Sequence, residues 1–272
     1  MSDAIEIVVA GISTTLQDRG RAGYADLGVP TGGAVDPALA GVVNRLVGNQ
    51  LNAAVVETCG GLTIRALVHV LVASSSEPAP RSLSPGETYS IAAGSHGRLW
   101  HYLAVRGGLQ VEPVLGSMSC DTLSGLGPAP CQPGARYQIG AEPDRPIVAD
   151  VAPLSAVIDA IRITPGPRAG WFQADWAERL TSATWTVTTS SRVGVRLTGA
   201  TLDRTVTEEL PSEGLVRGAI QVPPDGEPVM MLADHPTTGG YPVIAVVHPD
   251  DVAAVAQHEP GAAVRFRLQT VW

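Results

Sequence analysis

Three times in 272 residues the chain writes the same short phrase, a proline and a glycine ahead of an alternating run: Pro85-Gly86-Glu87-Thr88-Tyr89-Ser90-Ile91, Pro133-Gly134-Ala135-Arg136-Tyr137-Gln138-Ile139 and Pro260-Gly261-Ala262-Ala263-Val264-Arg265-Phe266. Proline fixes φ for the second position of a turn and glycine supplies positive φ at the third, so each phrase reads as a turn that feeds a strand. The alternation then sets Tyr89 with Ile91, and Val264 with Phe266, on one face. With 30 Gly and 22 Pro spread along it, the chain is cut into many short segments, the pattern of β-barrels and sandwiches.

Further strands are expected over 5–10, 67–73, 99–105, 161–164, 185–189, 229–232 and 243–247. Helices are few. The clearest starts at Asp36, an N-cap followed by Pro37 at the first helical position, carries Leu39, Val42, Val43, Leu46 and Val47 on one face, and meets a left-handed stop at Gly48. Two more are expected over 170–180 and 250–257, packed against a barrel. The length suits two domains at about 100–200 residues each. The stretch Ala141-Glu142-Pro143-Asp144-Arg145-Pro146 reads as a linker between them, giving domains 1–150 and 151–272.

Composition removes several kinds of function. A net charge of −8 argues against a surface that tracks nucleic-acid phosphates, which needs clustered positive charge. All 18 basic residues are arginine, so there is no Schiff-base lysine, no Walker lysine and no lysine to carry biotin. Acid near the start (Asp3, Glu6) and the lack of an apolar run near the ~18 residues of a membrane span point to a cytoplasmic chain. Cys59, Cys120 and Cys131 are odd in number and lack paired close spacing, so reduced, structurally buried thiols are expected. The six histidines show no i, i+4 pairing, and no metal site is expected.

Three clusters could carry chemistry. The first runs from Thr14 through Gln17, Asp18 and Arg21 to the glycines before Asp36, joining polar side chains to exposed backbone N–H groups. Its plain alternative is that Asp18 pairs with Arg21 to pin a loop while Asp36 caps the helix. In the second, the strand Tyr102-Leu103-Ala104-Val105 ends in Arg106-Gly107-Gly108, which aims a guanidinium at an anion or else at Asp121 on the surface. In the third, a strand through Gln221 and another ending at Asp234 lead into Thr237-Thr238-Gly239-Gly240-Tyr241-Pro242. Hydroxyls and backbone N–H groups there could cradle a polar substrate or phosphate, or the segment is a hairpin turn. Arg192 and Arg196 could also face an anion.

The strings TLQDRGRAGYADLGVPTGGAVD, NRLVGN, YLAVRGG, VLGSMSCD, SSRVGVRL, GAIQVPPDG and TTGGYP follow one another in the order found in proteins similar to KipA, the C component of 5-oxoprolinase and the carboxyltransferase domain of urea amidolyase. The chain resembles that family along nearly its whole length. The resemblance implies a mainly β fold of tandem cyclophilin-like β-barrel domains with a few short helices. It also implies partners: a KipI-like B component and a LamB/YcsF-like A component, with ATP used in the complex to open 5-oxo-L-proline to L-glutamate. Asp18, Arg21 and Asp234 would then be catalytic, with Gln17, Arg106, Gln221, Thr237, Thr238, Gly239, Gly240 and Tyr241 on substrate in a groove formed by the two domains. Two other branches of the family imply alternatives: a carboxyltransferase component of the allophanate or urea carboxylase type, with biotin on another chain, or a non-catalytic KipA-like regulator of a KipI-like partner.

Overall fold

In the computed structural model, which describes residues 4–77, 79–144, 146–147, 151, 158 and 160–269, all three Pro-Gly phrases close as tight turns. Glu87, Ala135 and Ala262 each donate N–H to the carbonyl three residues earlier, on Ser84, Gln132 and Glu259, at 3.0 Å. Gly86, Gly134 and Gly261 have φ of 89°, 85° and 91°, a region that side chains strain to enter. The strands that follow cover Thr88–Ile91, Arg136–Ile139 and Ala263–Leu268. Tyr89, Ile91, Val264 and Phe266 are buried, as the alternation requires.

The chain divides into two compact units, Met1–Arg21 with Gly32–Ala156, and Ala22–Thr31 with Val157–Trp272. The boundary expected at 150/151 rests on residue 150, which lies outside the described residues.

The first unit is built from ten strands: Ala4–Val9 (β1), Thr15–Gln17 (β2), Val55–Thr58 (β3), Leu62–Ala66 (β4), Val70–Ser74 (β5), Arg81–Leu83 (β6), Thr88–Ile91 (β7), His101–Val105 (β8), Leu109–Gln110 (β9) and Arg136–Ile139 (β10). They form two five-stranded antiparallel sheets, ordered β7-β4-β1-β10-β9 and β2-β3-β8-β5-β6. One apolar cluster holds Ile5, Ile64 and Ile91 from the first sheet and Leu16, Val56 and Leu103 from the second, so the sheets pack face to face. Each such side chain contributes roughly 1.5–3 kcal/mol by leaving water. Helix α1, Pro37–Leu46, begins and ends as its sequence dictates. The Asp36 carboxylate accepts from Leu39 N–H at 3.0 Å, Pro37 opens the first turn, and Gly48 stops the helix at φ 72°.

The second unit is a closed seven-stranded barrel, ordered β11-β18-β15-β16-β13-β12-β19. Its strands are Ala160–Pro165 (β11), Trp185–Ser190 (β12), Gly194–Thr198 (β13), Ala219–Gln221 (β15), Val229–Met231 (β16), Val243–Val247 (β18) and Ala263–Leu268 (β19). The parallel pair β11/β19, with Ile161 opposite Phe266, closes a ring whose other pairs are antiparallel. Closure leaves no free edge in that sheet. Two short strands outside the ring, Glu213–Gly214 (β14) and Thr238–Gly239 (β17), pair with each other.

The helix expected over 170–180 is divided. Ala169–Trp171 is one 3-10 turn, and α2 starts only at Trp176 and runs to Ser182. Between them the backbone is committed elsewhere: Phe172 is extended and bridges Arg204, and the Trp171 carbonyl accepts from Thr205 N–H at 2.8 Å. The last helix, Pro249–Ala256 (α3), starts one residue before the expected 250–257 because Pro249 takes the first helical position. The mainly β expectation with a few short helices holds.

Candidate functional site

Strand β2 delivers Gln17 and then Asp18 to the loop 114–120, and that loop organises the first cluster. Asp18 is half-buried, and its Oδ1 accepts from Gly20 N–H at 2.7 Å, Ser117 Oγ at 2.6 Å and Ser119 Oγ at 2.5 Å. Its Oδ2 accepts from Met118 N–H at 2.7 Å, and its own N–H donates to Ser119 Oγ at 2.9 Å. Three donors on one oxygen and one on the other leave Oδ2 with spare acceptor capacity.

Arg21 does not pair with Asp18. It is 2% exposed, and its Nε donates to the Val114 carbonyl at 3.3 Å while Nη2 donates to the Ser119 carbonyl. Its Nη1 is buried without a hydrogen-bond partner among the described residues. Gln17 is fully buried; its Nε2 donates to Thr15 Oγ1 at 2.9 Å and to the Cys120 carbonyl at 2.8 Å, while Oε1 has no partner among the described residues. Asp18 and Arg21 thus both pin the loop 114–119, each separately, and the alternative in which they pair with each other is not the one realised. Close packing extends to Gly127, where an added Cβ would lie 2.0 Å from the Ser119 carbonyl oxygen.

Arg106 is engaged away from this cluster. Its Nε meets the exposed Glu142 carboxylate at 2.8 Å, Nη1 donates to the Val47 carbonyl at 2.8 Å and Nη2 to the Pro143 carbonyl at 3.2 Å. It borders a cleft of about 380 Å³ between Val70, Leu83 and Ile139. Asp121, its expected surface partner, instead accepts from Leu123 N–H at 2.9 Å and from the Ser124 hydroxyl, closing its own turn.

In the barrel unit Asp234 is fully buried and held by Arg192, itself 2% exposed, through a two-pronged pair: Nε to Oδ2 at 2.8 Å and Nη2 to Oδ1 at 2.7 Å. The backbones follow suit, with Asp234 N–H on the Arg192 carbonyl at 2.9 Å. Arg196, the other arginine of that segment, lies on the surface against Asp225 and Glu227. The segment beyond Asp234 is not a plain hairpin turn. Thr238 and Gly239 pair with Gly214 and Glu213, and Leu215 N–H donates to the Thr237 carbonyl at 2.9 Å. Gln221 rivets it from below, Nε2 to the Tyr241 carbonyl at 2.9 Å. Gly239 is required by space: a Cβ there would lie 2.7 Å from Gln221 Nε2 and 2.8 Å from Leu215 Cδ1. Thr238, Gly240 and Tyr241 are exposed on this ribbon.

Residues outside the expected set complete the picture. Glu57, fully buried, accepts from Val35 N–H at 2.7 Å and from Tyr102 Oη at 2.8 Å, fixing the backbone just ahead of α1. Burial, then the Glu57 charge, holds the Tyr102 hydroxyl well above its ordinary range. Burial pushes the His101 imidazole down to about 4 and the Cys131 thiol up. Ser117 and Ser119 sat inside a recognised string, but nothing local marked them as partners of a residue about a hundred positions earlier. The local signal for Glu57 is a lone acid in an apolar strand. Among the described residues no group of three or more His, Cys, Asp or Glu is placed to hold a metal ion, and no helix is long and apolar enough to cross a membrane.

Comparison with known proteins adds a pedigree to this geometry. Residues 27–268 match the family described as carboxyltransferase domain, subdomain A and B. The C component of the 5-oxoprolinase of Escherichia coli (strain K12) is 33% identical over 96% of this chain and 90% of its own length. The urea amidolyase of Lachancea kluyveri is 30% identical over 97% of this chain, which spans only 17% of that protein. The solved structure of TTHA0988 superimposes with a TM-score of 0.88 at 30% identity over 98% of this chain, which spans 56% of that chain.

Proposed function

Because the chain belongs to the carboxyltransferase domain, subdomain A and B, family, we propose that it is the C component of a 5-oxoprolinase, opening 5-oxo-L-proline to L-glutamate at the cost of ATP. The observation that carries this reading is one of proportion. The chain aligns with 90% of the E. coli protein's length at 33% identity, but with only about a sixth of the urea amidolyases, at 30% and 29% identity. Its partners on this reading are a KipI-like B component and a LamB/YcsF-like A component.

A lactam resists hydrolysis because amide resonance must be broken, and ATP supplies the phosphoryl group that turns its oxygen into a leaving group. No Walker lysine exists in this chain, and no residue here is assigned to the nucleotide. The chain's own contribution is to bind and orient. Asp18, its carboxylate fixed by four donors, holds the 114–119 loop in place beside Gln17 and Arg21, the side chains that would meet the substrate. The doubly bonded Arg192–Asp234 pair acts as a positioning element beneath the 237–241 ribbon rather than as an acid or base. Purified with its A and B partners, the protein should release phosphate only when 5-oxoproline is added. A complete assembly whose phosphate release ignores 5-oxoproline sinks the proposal.

The urea amidolyase relatives favour a second reading, a carboxyltransferase acting on a small amide with biotin held by another chain. It is distinguished by carboxylation of the amide from carboxybiotin without any 5-oxoproline requirement.

A further inference from the structure

We propose that Arg21 Nη1 and Gln17 Oε1 together recognise one feature of the substrate, an amide N–H flanked by a carboxylate, with the carboxylate on Arg21 and the N–H on Gln17. The inference rests on the reading of the chain as an enzyme for a small amide, and names how that substrate is chosen.

Both atoms belong to side chains almost wholly removed from solvent, Gln17 at 0% and Arg21 at 2% exposure, and neither atom has a hydrogen-bond partner among the described residues. One is a donor on a permanent cation, the other a neutral acceptor. Both side chains are tied to consecutive carbonyls, Arg21 Nη2 to Ser119 and Gln17 Nε2 to Cys120, so the two residues are anchored to one short stretch of the fold. A buried guanidinium held only by carbonyls is costly unless an anion compensates it, which is why a carboxylate rather than a neutral carbonyl is assigned to Arg21. Asp18, the nearest acid in sequence, bonds to the Ser117–Ser119 donors and makes no direct bond to Arg21.

Because both atoms are shielded, ligand reaches them by displacing part of the 114–119 loop. The tip of that loop is Leu115, a 39% exposed leucine at φ 51°, a conformation leucine adopts only under constraint. 5-Oxoproline carries the required pair of groups, with its carboxylate on the carbon beside the ring nitrogen. Allophanate, the carboxylated form of urea, carries it too, with the carboxylate on the nitrogen itself.

The test is a set of ligand-by-variant cycles by calorimetry on the full chain, repeated with its partner proteins bound. The ligands are 5-oxoproline, N-methyl-5-oxoproline, 2-pyrrolidinone and allophanate. In the unsubstituted protein, loss of the carboxylate (2-pyrrolidinone) should weaken binding roughly 10- to 100-fold, and N-methylation roughly 10-fold. In Arg21→Met the carboxylate penalty should vanish while the methylation penalty stays, and in Gln17→Met the reverse should hold; a merely structural strut lowers affinity for all four ligands alike. Should Arg21→Met fail to fold, Arg21→Lys keeps the charge and should keep part of the carboxylate preference. Equal penalties in the variants and the parent, or binding of neither 5-oxoproline nor allophanate, overturn the proposal. Binding of allophanate but not 5-oxoproline, with both couplings intact, upholds this recognition and removes the 5-oxoprolinase reading instead.

Discussion

Arg192 in the barrel unit and Arg21 in the two-sheet unit are equally hidden, each 2% exposed, yet their surroundings differ in kind. Arg192 meets Asp234 through both prongs of its guanidinium, and the pair is fixed further by the backbone bond between the same two residues. Arg21 stands three residues from an aspartate and makes no bond to it; both residues turn instead to the 114–119 loop, one to its carbonyls and the other to its hydroxyls and N–H groups. The first arrangement neutralises its charge internally and behaves as a lock. The second leaves a cation, an amide oxygen and a half-buried carboxylate in one neighbourhood, which is what a site that waits for a polar ligand needs.

The difference predicts different responses to substitution, most severe at the lock. Arg192→Met strands a buried carboxylate and should cost about 3–5 kcal/mol in denaturant-unfolding free energy, with much of that recovered when Asp234→Leu is added. A single-variant loss below about 1 kcal/mol means the pair is not the lock described. Asp18→Ala removes the acceptor for four donors and should cost about 2 kcal/mol, together with loss of activity in the assembled enzyme and faster amide exchange at Met118. Unchanged exchange there would dissolve the contrast between the two regions. Gly127→Ala, whose Cβ would press on the Ser119 carbonyl at φ 88°, should cost about 1–3 kcal/mol and disturb the Ser119 anchor that Arg21 and Asp18 share.

A third buried base sharpens the comparison from the opposite direction, since His101 is kept neutral rather than neutralised. Burial lowers its pKa to about 4, below the ordinary value of 6.5, so at acid pH the unfolded chain binds the proton more readily than the folded one. Its contribution to stability is therefore complete above about pH 6.5 and declines as the pH falls toward 4. In urea titrations across that window, His101→Phe should show a flatter profile than the parent; parallel profiles would refute the assignment. The smallest effect is expected at Thr238, exposed on the ribbon: Thr238→Ala should leave stability within about 0.5 kcal/mol, so that any fall in activity reports on ligand contact.

What could be read in advance was whatever is settled within a few residues. The three Pro-Gly turns, the Asp36 cap, the Gly48 stop and the buried alternation of the strands after them were legible because each depends on a local φ preference or a period of two. The helix expected over 170–180 is broken for the complementary reason. Its apolar spacing was right, but Trp171 and Phe172 spend their backbone groups on residues 204 and 205, a competition no window of that length contains. The site was legible as a set of motifs and not as a set of bonds. Gln17, Asp18 and Arg21 all bond to the segment 114–120, whereas Arg106, expected to face an anion or Asp121, meets Glu142 and two carbonyls, and nothing local names Asp234 as Arg192's partner.

By itself, then, the sequence determined the chain's β character, its turns and caps, its lack of lysine chemistry and the order of motifs that placed it in a family. Tertiary structure decided which acid meets which base. Asp18 finds Ser119 across 101 residues and Arg192 finds Asp234 across 42, and at such separations partner choice follows from which strands the sheets bring side by side. Charge and spacing along the chain are silent on that point, because a carboxylate attracts any donor within reach, and reach is a property of the fold.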